Sequence, residues 1–210
     1  MGHVSPFTHT LAPPLRTRRR RAEGASGTSA SHVSDDDLLG RIRQSDEAAF
    51  DALFDRYHDP LRAFAVSIAG ADLADEVVQD VFLAIWTKRH RLKVTASLRA
   101  YLYQATRNRA LNARRGRKRW ILRFTDLDAA HDVTTPAPST TAEELSRALA
   151  HAIERLPKRQ RMAFRLRREH ELSYDEIAAV MSLSRNTVEN HIVRATKAVR
   201  QAIPTEFLGD

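Results

Sequence analysis

Apolar residues recur every three or four positions along most of the chain from Asp35 onward, a spacing typical of amphipathic helices. The first such stretch runs from Phe50 to Ile68, and Pro60 inside it is expected to kink or divide the helix. A second stretch follows Gly70, with Asp72 as its expected N-cap. A third begins at Leu98, after a short basic loop over about residues 87–96.

The same period returns in the second half of the chain, from Leu145 to Leu156. Pro157 then interrupts it, and another helix follows. Ser173 and Glu176 have the spacing of a capping box, which predicts a helix start at this point. No stretch alternates between apolar and polar residues with period two. The predicted fold is therefore all-α.

Proline, serine and threonine cluster over residues 121–140, which predicts a flexible linker. The linker divides the helices into two small domains, residues 35–120 and residues 141–203. Residues 1–34 combine a run of arginines with prolines, glycines and serines and lack apolar periodicity, so they are predicted to form a disordered basic tail. Residues 204–210 form a short tail at the other end.

The segment from Tyr174 to Val193 fits the helix-turn-helix template, with apolar residues at the positions that pack the two helices together. Ser184 is the expected cap of the second helix. The alternative is a structural helical hairpin without a DNA-binding role. Polar side chains near the start of a recognition helix contact base edges in the major groove. The residues predicted to do so are Arg185, Asn186, Thr187, Glu189, Asn190, His191 and Arg194.

Charge is unevenly distributed in the first domain. The whole chain carries a net charge of +8, yet residues 35–80 hold four basic against twelve acidic residues. Residues 81–125 hold thirteen basic residues and no acidic one. Such a basic segment is expected to attract phosphate groups, as in nucleic-acid-binding proteins.

Aromatic residues are interspersed among these arginines, a combination that suits single-stranded DNA because rings stack on unpaired bases. Trp86 and Tyr101 follow the apolar stripe and are expected in the core. Tyr103 and Trp120 lie off that stripe and are predicted to be free for bases. The stripe becomes polar beyond Ala105, so this helix is expected to leave the core there.

Three segments resemble the extracytoplasmic-function branch of the sigma-70 family. Residues 74–86 (ADEVVQDVFLAIW) resemble the region 2 helix that docks on RNA polymerase, and residues 98–115 resemble the helix that handles the −10 element. Residues 156–198 resemble region 4, which reads the −35 element. The resemblance implies a sigma factor that directs promoter-specific initiation.

The resemblance also assigns roles to residues, and the helix-turn-helix residues named above become the −35 set. The implied polymerase-binding residues are Asp75, Glu76, Gln79 and Asp80. The implied −10 residues are Arg89, Lys93, Tyr103, Arg107, Asn108, Arg109, Arg114 and Arg115. The implied partners are bacterial core RNA polymerase and promoter DNA, with a sequestering anti-sigma factor as a further one.

Other classes of protein find little support in the sequence. There is no cysteine, no histidine pair at metal-ligand spacing and no phosphate-binding glycine loop, so neither an enzyme nor a cofactor or metal site is expected. No apolar run is long enough to insert in a membrane, and a cytoplasmic protein is expected. The alternative function is a helix-turn-helix regulator of the response-regulator output type that acts without joining polymerase. Its receiver domain would need alternating strands and helices, which the pattern does not show.

Overall fold

The computed structural model describes residues 33–124 and 141–202, and within them all regular structure is helical, which confirms the predicted all-α fold. The first half contains α1 (Asp35–Arg43), α2 (Glu47–Ala69), α3 (Ala71–Lys88), a 3-10 turn (Arg89–Arg91) and α4 (Leu98–Phe124). The second half contains α5 (Thr141–Glu154), α6 (Lys158–Arg168), α7 (Tyr174–Met181) and α8 (Arg185–Ala202).

Helix α1 is fixed at its start and then tied to α2. The amide of Asp37 donates to the Ser34 hydroxyl (3.1 Å), and three aspartates in the first turn suit the positive end of the helix dipole. The Asp35 carboxylate accepts hydrogen bonds from the Arg56 guanidinium (2.6 Å) and from the Tyr57 hydroxyl. Burial and this carboxylate raise the pKa of Tyr57 above its ordinary value. The hydroxyl therefore keeps its proton and remains a donor.

Helix α2 runs without a break through Pro60, so the expected division at this residue is wrong. Proline removes one backbone hydrogen bond, and its ring lies here on the exposed side of the helix. On the opposite side of the helix, Tyr57 before the proline and Leu61 and Phe64 after it are buried. Packing of that side holds the helix together despite the lost hydrogen bond.

Helix α3 begins without a side-chain cap, so the expected capping role of Asp72 is also wrong. The helix starts directly after Gly70, whose φ of +92° lies in the region that favours glycine. The Asp72 carboxylate instead accepts a hydrogen bond from Arg117 of α4 (2.7 Å).

Helix α4 extends four residues into the predicted linker, to Phe124. The Ser97 hydroxyl accepts from the amide of Ala100 (3.0 Å) at its start, which is the local signal for a helix at this point. The rest of the predicted linker, residues 125–140, lies outside the described residues, as do residues 1–32 of the predicted tail and residues 203–210.

The helix-turn-helix forms as the sequence predicts. The capping box before α7 is complete: Glu176 N donates to the Ser173 hydroxyl (3.2 Å), and Ser173 N donates to the Glu176 carboxylate (2.9 Å). Ser182 adopts the left-handed conformation (φ 55°) at the turn. Ser184 caps α8 by accepting from the amide of Thr187 (3.2 Å).

The two halves pack against each other rather than lying apart. Helix α4 of the first half contacts α7 of the second, and buried side chains from Leu38 to Ile192 form one continuous apolar cluster. A smaller cluster joins α5, α6 and α8 through Ile153, Phe164 and Val199. We call the contact between α4 and the α6–α7 segment the domain seam. No local pattern in the sequence predicts this contact.

Candidate nucleic-acid and polymerase interfaces

The start of α8 presents polar side chains to solvent while its other side is buried. Arg185, Asn186, Glu189 and Asn190 are exposed, and Val188 lies in the core one position before Glu189. Arg185 pairs with Asp175 (3.0 Å), but both side chains are well exposed. An exposed pair of this kind is weak, so the guanidinium can exchange that partner for a base edge at little cost.

The other predicted −35 residues differ in how accessible they are. Arg194 is exposed, whereas Thr187 is half-buried and shares a hydrogen bond with the Ser184 hydroxyl (2.8 Å). His191 is also half-buried, and its Nε2 is buried without a hydrogen-bond partner among the described residues. Thr187 therefore helps the cap, and His191 offers less of its ring to a groove than the sequence suggests.

The predicted polymerase-binding residues form one exposed strip along α3. Asp75, Glu76, Gln79 and Asp80 all face solvent, on the side opposite the buried valines of this helix. Leu83 continues the strip one turn further and is 50 % exposed. The sequence reasoning missed Leu83, although its position four residues after Gln79 placed it on this face.

Two of the aspartates on this strip already have basic partners. Arg62 donates to Asp75 (2.6 Å) and holds the pKa of that carboxyl below its ordinary value. Arg109 of α4 lies 3.8 Å from Asp80. The acidic and basic residues are therefore separate along the sequence, but some of them form ion pairs in the structure.

The basic residues assigned to the −10 element are in three different situations. Lys93 and Arg115 are exposed, as are Asn108 and Arg114, although Arg114 also donates to the Ile68 carbonyl (3.2 Å). Arg109 pairs with Asp80 as described above, and Arg107 is half-buried near the domain seam.

Arg89 is the most constrained member of the −10 set. It donates to the Ser45 hydroxyl (2.9 Å) and to the Trp86 carbonyl (2.7 Å), and its guanidinium lies 4.4 Å from the centroid of the Trp86 ring. These contacts hold the 3-10 turn against α3. Its DNA contact remains a prediction, and one that competes with this structural role.

Tyr103 lies off the predicted apolar stripe, which predicts that its side chain is free for bases. In this structure, however, the side chain is buried and not accessible to a base. It is 1 % exposed, and its ring packs on Phe64 and on His170, with centroids 5.2 Å away in both cases. Its hydroxyl lies 3.2 Å from His170 Nδ1, and burial raises its pKa to about 12. Trp86 is buried as expected, and the side chain of Trp120 lies outside the described residues.

Three polar contacts complete the domain seam around Tyr103. Ser97 donates to the Glu176 carboxylate (2.8 Å), Gln104 donates to the Ala179 carbonyl (3.0 Å), and Arg99 donates to the His170 carbonyl. The seam thus covers the face of α4 that the sequence assigns to unpaired bases.

Residues 33–124 and 141–202 contain no group of three or more potential metal ligands. Within the same residues, no helix combines the length and apolar character needed to cross a membrane.

Comparison with known families assigns both halves of the molecule. The family model described as "Sigma-70 region 2" matches residues 53–120, and the one described as "Sigma-70, region 4" matches residues 146–199. The chain belongs to the sigma-70 family. The matched segments hold the α3 strip and α4 in region 2 and the helix-turn-helix in region 4.

Relatives place this sigma factor in the extracytoplasmic-function branch. It is 27 % identical over 183 residues to the ECF RNA polymerase sigma-E factor of Escherichia coli (strain K12), which covers 81 % of this chain and 94 % of that protein. It is 28 % identical over 180 residues to the RNA polymerase sigma-H factor of Pseudomonas aeruginosa, covering 80 % of this chain and 93 % of that one.

Two solved structures share its fold. CnrH in complex with the cytosolic domain of CnrY matches with a TM-score of 0.57 and 26 % identity, over 80 % of this chain and 95 % of the other. The sigma factor RpoE in complex with the anti-sigma factor NepR from Bartonella quintana matches with a TM-score of 0.56 and 25 % identity, over 73 % and 95 %. None of these comparisons favours the alternative hypothesis of a regulator that acts without joining polymerase.

Proposed function

We propose that this sigma factor works in the cytoplasm as a specificity subunit without catalytic activity of its own. The α3 strip binds core RNA polymerase, the start of α8 reads the −35 element, and α4 with its preceding basic loop engages the −10 element. The observation that carries the proposal is the exposed polar start of α8 on a correctly capped helix-turn-helix, within a chain whose other half matches region 2.

The buried position of Tyr103 adds a step to this proposal. A base can stack on Tyr103 only after His170 has moved away, because the two rings are in contact. We therefore infer that regions 2 and 4 separate before the −10 element is captured. The polar contacts of the seam are single hydrogen bonds to half-buried groups, each worth about 0.5–1.5 kcal/mol net. Polymerase and promoter contacts must replace these and also outweigh the apolar contacts that join the two halves.

An anti-sigma factor is a further proposed partner. RpoE was solved in complex with the anti-sigma factor NepR, and CnrH in complex with the cytosolic domain of CnrY. A protein that holds regions 2 and 4 together would keep the α4 face covered, as it is in this structure.

Run-off transcription with purified core polymerase tests the function. We expect the sigma factor plus core enzyme to produce a transcript from a promoter selected out of a randomised library, and core enzyme alone to produce none. Co-purification with core polymerase separates this function from that of an independent regulator. A protein that binds the promoter but never associates with core enzyme would disprove the proposal.

Removing Arg185 or Asn190 is expected to change −35 preference. Arg185→Ala and Asn190→Ala should each cost about 1–3 kcal/mol at one base position if the lost contact is bidentate. The measurement is transcription from a panel of single-base −35 variants. Lys197→Ala, an exposed change further along α8, is the control and should keep the parent's preference. If both test variants also keep it, base reading lies elsewhere.

Neutralising Arg114 and Arg115 is expected to reduce promoter opening at all promoters to a similar extent. Both side chains are exposed near the end of α4, in the segment without carboxylates. Each lost phosphate contact should make the slope of log affinity against log salt shallower by about one unit. Permanganate footprinting across a salt series measures this. An unchanged slope in the double alanine variant would leave these arginines as solvated surface residues only.

A further inference from the structure

The domain seam borders a half-open cavity of about 380 Å³ between α4 of region 2 and α6 of region 4, which we call the seam cavity. Its walls carry a marked excess of positive charge. The cationic lining residues are Arg107, Arg114, Lys158, Arg159, Arg161 and Arg165. The lining includes a single carboxylate, that of Glu154.

Glu154 is already engaged by two of these cations. It accepts hydrogen bonds from Arg161 and from Arg165 (2.6 Å), and both partners are largely buried. None of the described carboxylates lies within ion-pair distance of Arg107, Lys158 or Arg159. Arg114 contacts only the neutral Ile68 carbonyl among the described residues, so four of the six cations in the seam cavity have no anionic partner within the described part of the chain.

Arg107 shows the cost of this arrangement most directly. Its Nε is buried and donates no hydrogen bond within the described residues, and its Nη1 makes only a long contact with Asn108 (3.4 Å). Burial and the nearby charge of Arg159 both lower the pKa of Arg107 below its ordinary value. Folding thus places the half-buried guanidinium of Arg107 near that of exposed Arg159 from the other domain, with no counterion among the described residues. An anion that binds both groups would offset this repulsion.

We propose that the seam cavity is a binding site for a small anion that carries two or more phosphate groups. Guanidinium groups bind phosphate oxygens in a bidentate manner, and several of them line one cavity here. A compact polyphosphate can reach cations on both α4 and α6, whereas duplex DNA is far too wide for a cavity of about 380 Å³. Binding within the cavity would also place negative charge beside Arg107 and Arg159, which have no carboxylate partner among the described residues.

The same geometry makes such an anion a regulator. The seam cavity exists only while α4 and α6 are together, so its ligand binds the closed arrangement and not the open one. A ligand that binds one of two states stabilises that state, and whatever favours the other state weakens the ligand in return. This consequence rests on the proposed function, because opening is what promoter capture requires. The binding itself does not depend on it.

Isothermal titration calorimetry of the full chain with inorganic tripolyphosphate tests the site. We expect saturable binding of one anion per chain, with sulfate at matched ionic strength binding far more weakly. Arg159→Gln should weaken the affinity about tenfold or more, as expected for a lost charge-assisted hydrogen bond. Arg168→Gln is the matched control, since Arg168 lies on the same helix, is exposed and is not part of the cavity lining. A parallel titration with ATP tests whether a nucleoside is accepted along with the phosphates.

A second measurement separates a built site from general attraction to a basic protein. Without tripolyphosphate, Arg159→Gln should raise the melting temperature relative to the parent, because it removes the repulsion with Arg107, and Arg168→Gln should not. Equal loss of anion affinity in the two variants would overturn the proposal, as would hexaglutamate binding as tightly as tripolyphosphate. Co-purification with core polymerase in a buffer free of nucleotides and polyphosphate tests the proposed function separately, so failure of the site and failure of the proposed function remain distinguishable.

Discussion

The double variant Glu76→Arg/Gln79→Arg is expected to bind core polymerase about a hundredfold or more weakly than the parent, since like charges placed against each other at an interface cost several kcal/mol. Both residues lie on the exposed α3 strip. Neither side chain has a hydrogen bond or ion pair with another described residue, unlike those of Asp75 and Asp80, so making both positions basic breaks no described side-chain contact. Circular dichroism should therefore show unchanged helical content. Fluorescence anisotropy of labelled protein against core enzyme measures the affinity.

The matched control is Asp51→Arg/Asp55→Arg, which reverses two exposed carboxylates on α2. It adds at least as much positive charge to region 2 but leaves the α3 strip intact, so its affinity for core polymerase should remain within a few-fold of the parent's. If the two double variants weaken binding equally, net charge rather than the α3 strip governs association. If the α3 variant keeps the parent's affinity, polymerase docks elsewhere.

Features set by a few neighbouring residues were predictable from the sequence. The capping box at Ser173 and Glu176 and the cap at Ser184 are interactions over three residues, so their spacing alone specifies them. The three-to-four periodicity likewise predicted α2 to α8, whereas α1 lies before the first predicted stretch and was not predicted. The exposed start of α8 followed from that periodicity, because the residues between Val188 and Ile192 must face outward.

Features set by contacts distant in sequence were not predictable in this way. Tyr103 lies off the stripe that packs region 2, yet it is buried by His170, 67 residues away. Asp72 has the residue type of an N-cap but is drawn to Arg117 on α4 instead. No local sequence pattern indicates that Tyr103 contacts His170 or that Asp72 pairs with Arg117. Pro60 shows the same limit, since packing on the opposite face of α2 decides whether the helix survives.

The uneven charge of region 2 along the sequence only partly predicts which charged residues are available to partners. The sequence indicates an acidic half and a basic half, which predicts two surfaces for two partners. In the structure α3 and α4 lie side by side, so Arg109 and Arg117 pair with Asp80 and Asp72 across the contact. Part of the charge therefore joins the helices to each other. The charge that remains exposed for partners is chiefly that of Glu76 on α3 and Arg115 on α4.

Acidification is expected to open the domain seam. His170 is 8 % exposed, and burial together with the charges of Arg99 and Arg165 lowers its pKa to about 4 from an ordinary value of 6.5. A histidine released from the seam binds a proton below about pH 6.5, whereas one held in it does not until about pH 4. The open state therefore gains protons, and stability, as the pH falls between these values. Above about pH 6.5 both states hold a neutral ring, and the seam keeps its full stability.

The expected size of this effect is about a tenfold rise in the open-to-closed ratio between about pH 7.5 and pH 5.5. Hydrogen exchange of the α4 and α7 amides, or energy transfer between dyes on the two regions, measures that ratio. The neighbouring Glu176 carboxyl, which binds Ser97 across the seam, has a pKa lowered below 4.5 and so loses its contribution only at still lower pH. Between about pH 6.5 and 5, the pH dependence of seam opening is therefore expected to come from His170 and not from Glu176.

His170→Gln is the variant that isolates the histidine. Glutamine can still hydrogen-bond to the Tyr103 hydroxyl but does not titrate, so the variant should show an open fraction that is flat between about pH 7.5 and 5.5. Its absolute open fraction can differ from the parent's, because the ring contacts with Phe64 and Tyr103 are lost. The slope with pH is thus the decisive quantity. An equal slope in parent and variant would show that other groups open the seam and that His170 contributes to it only by packing.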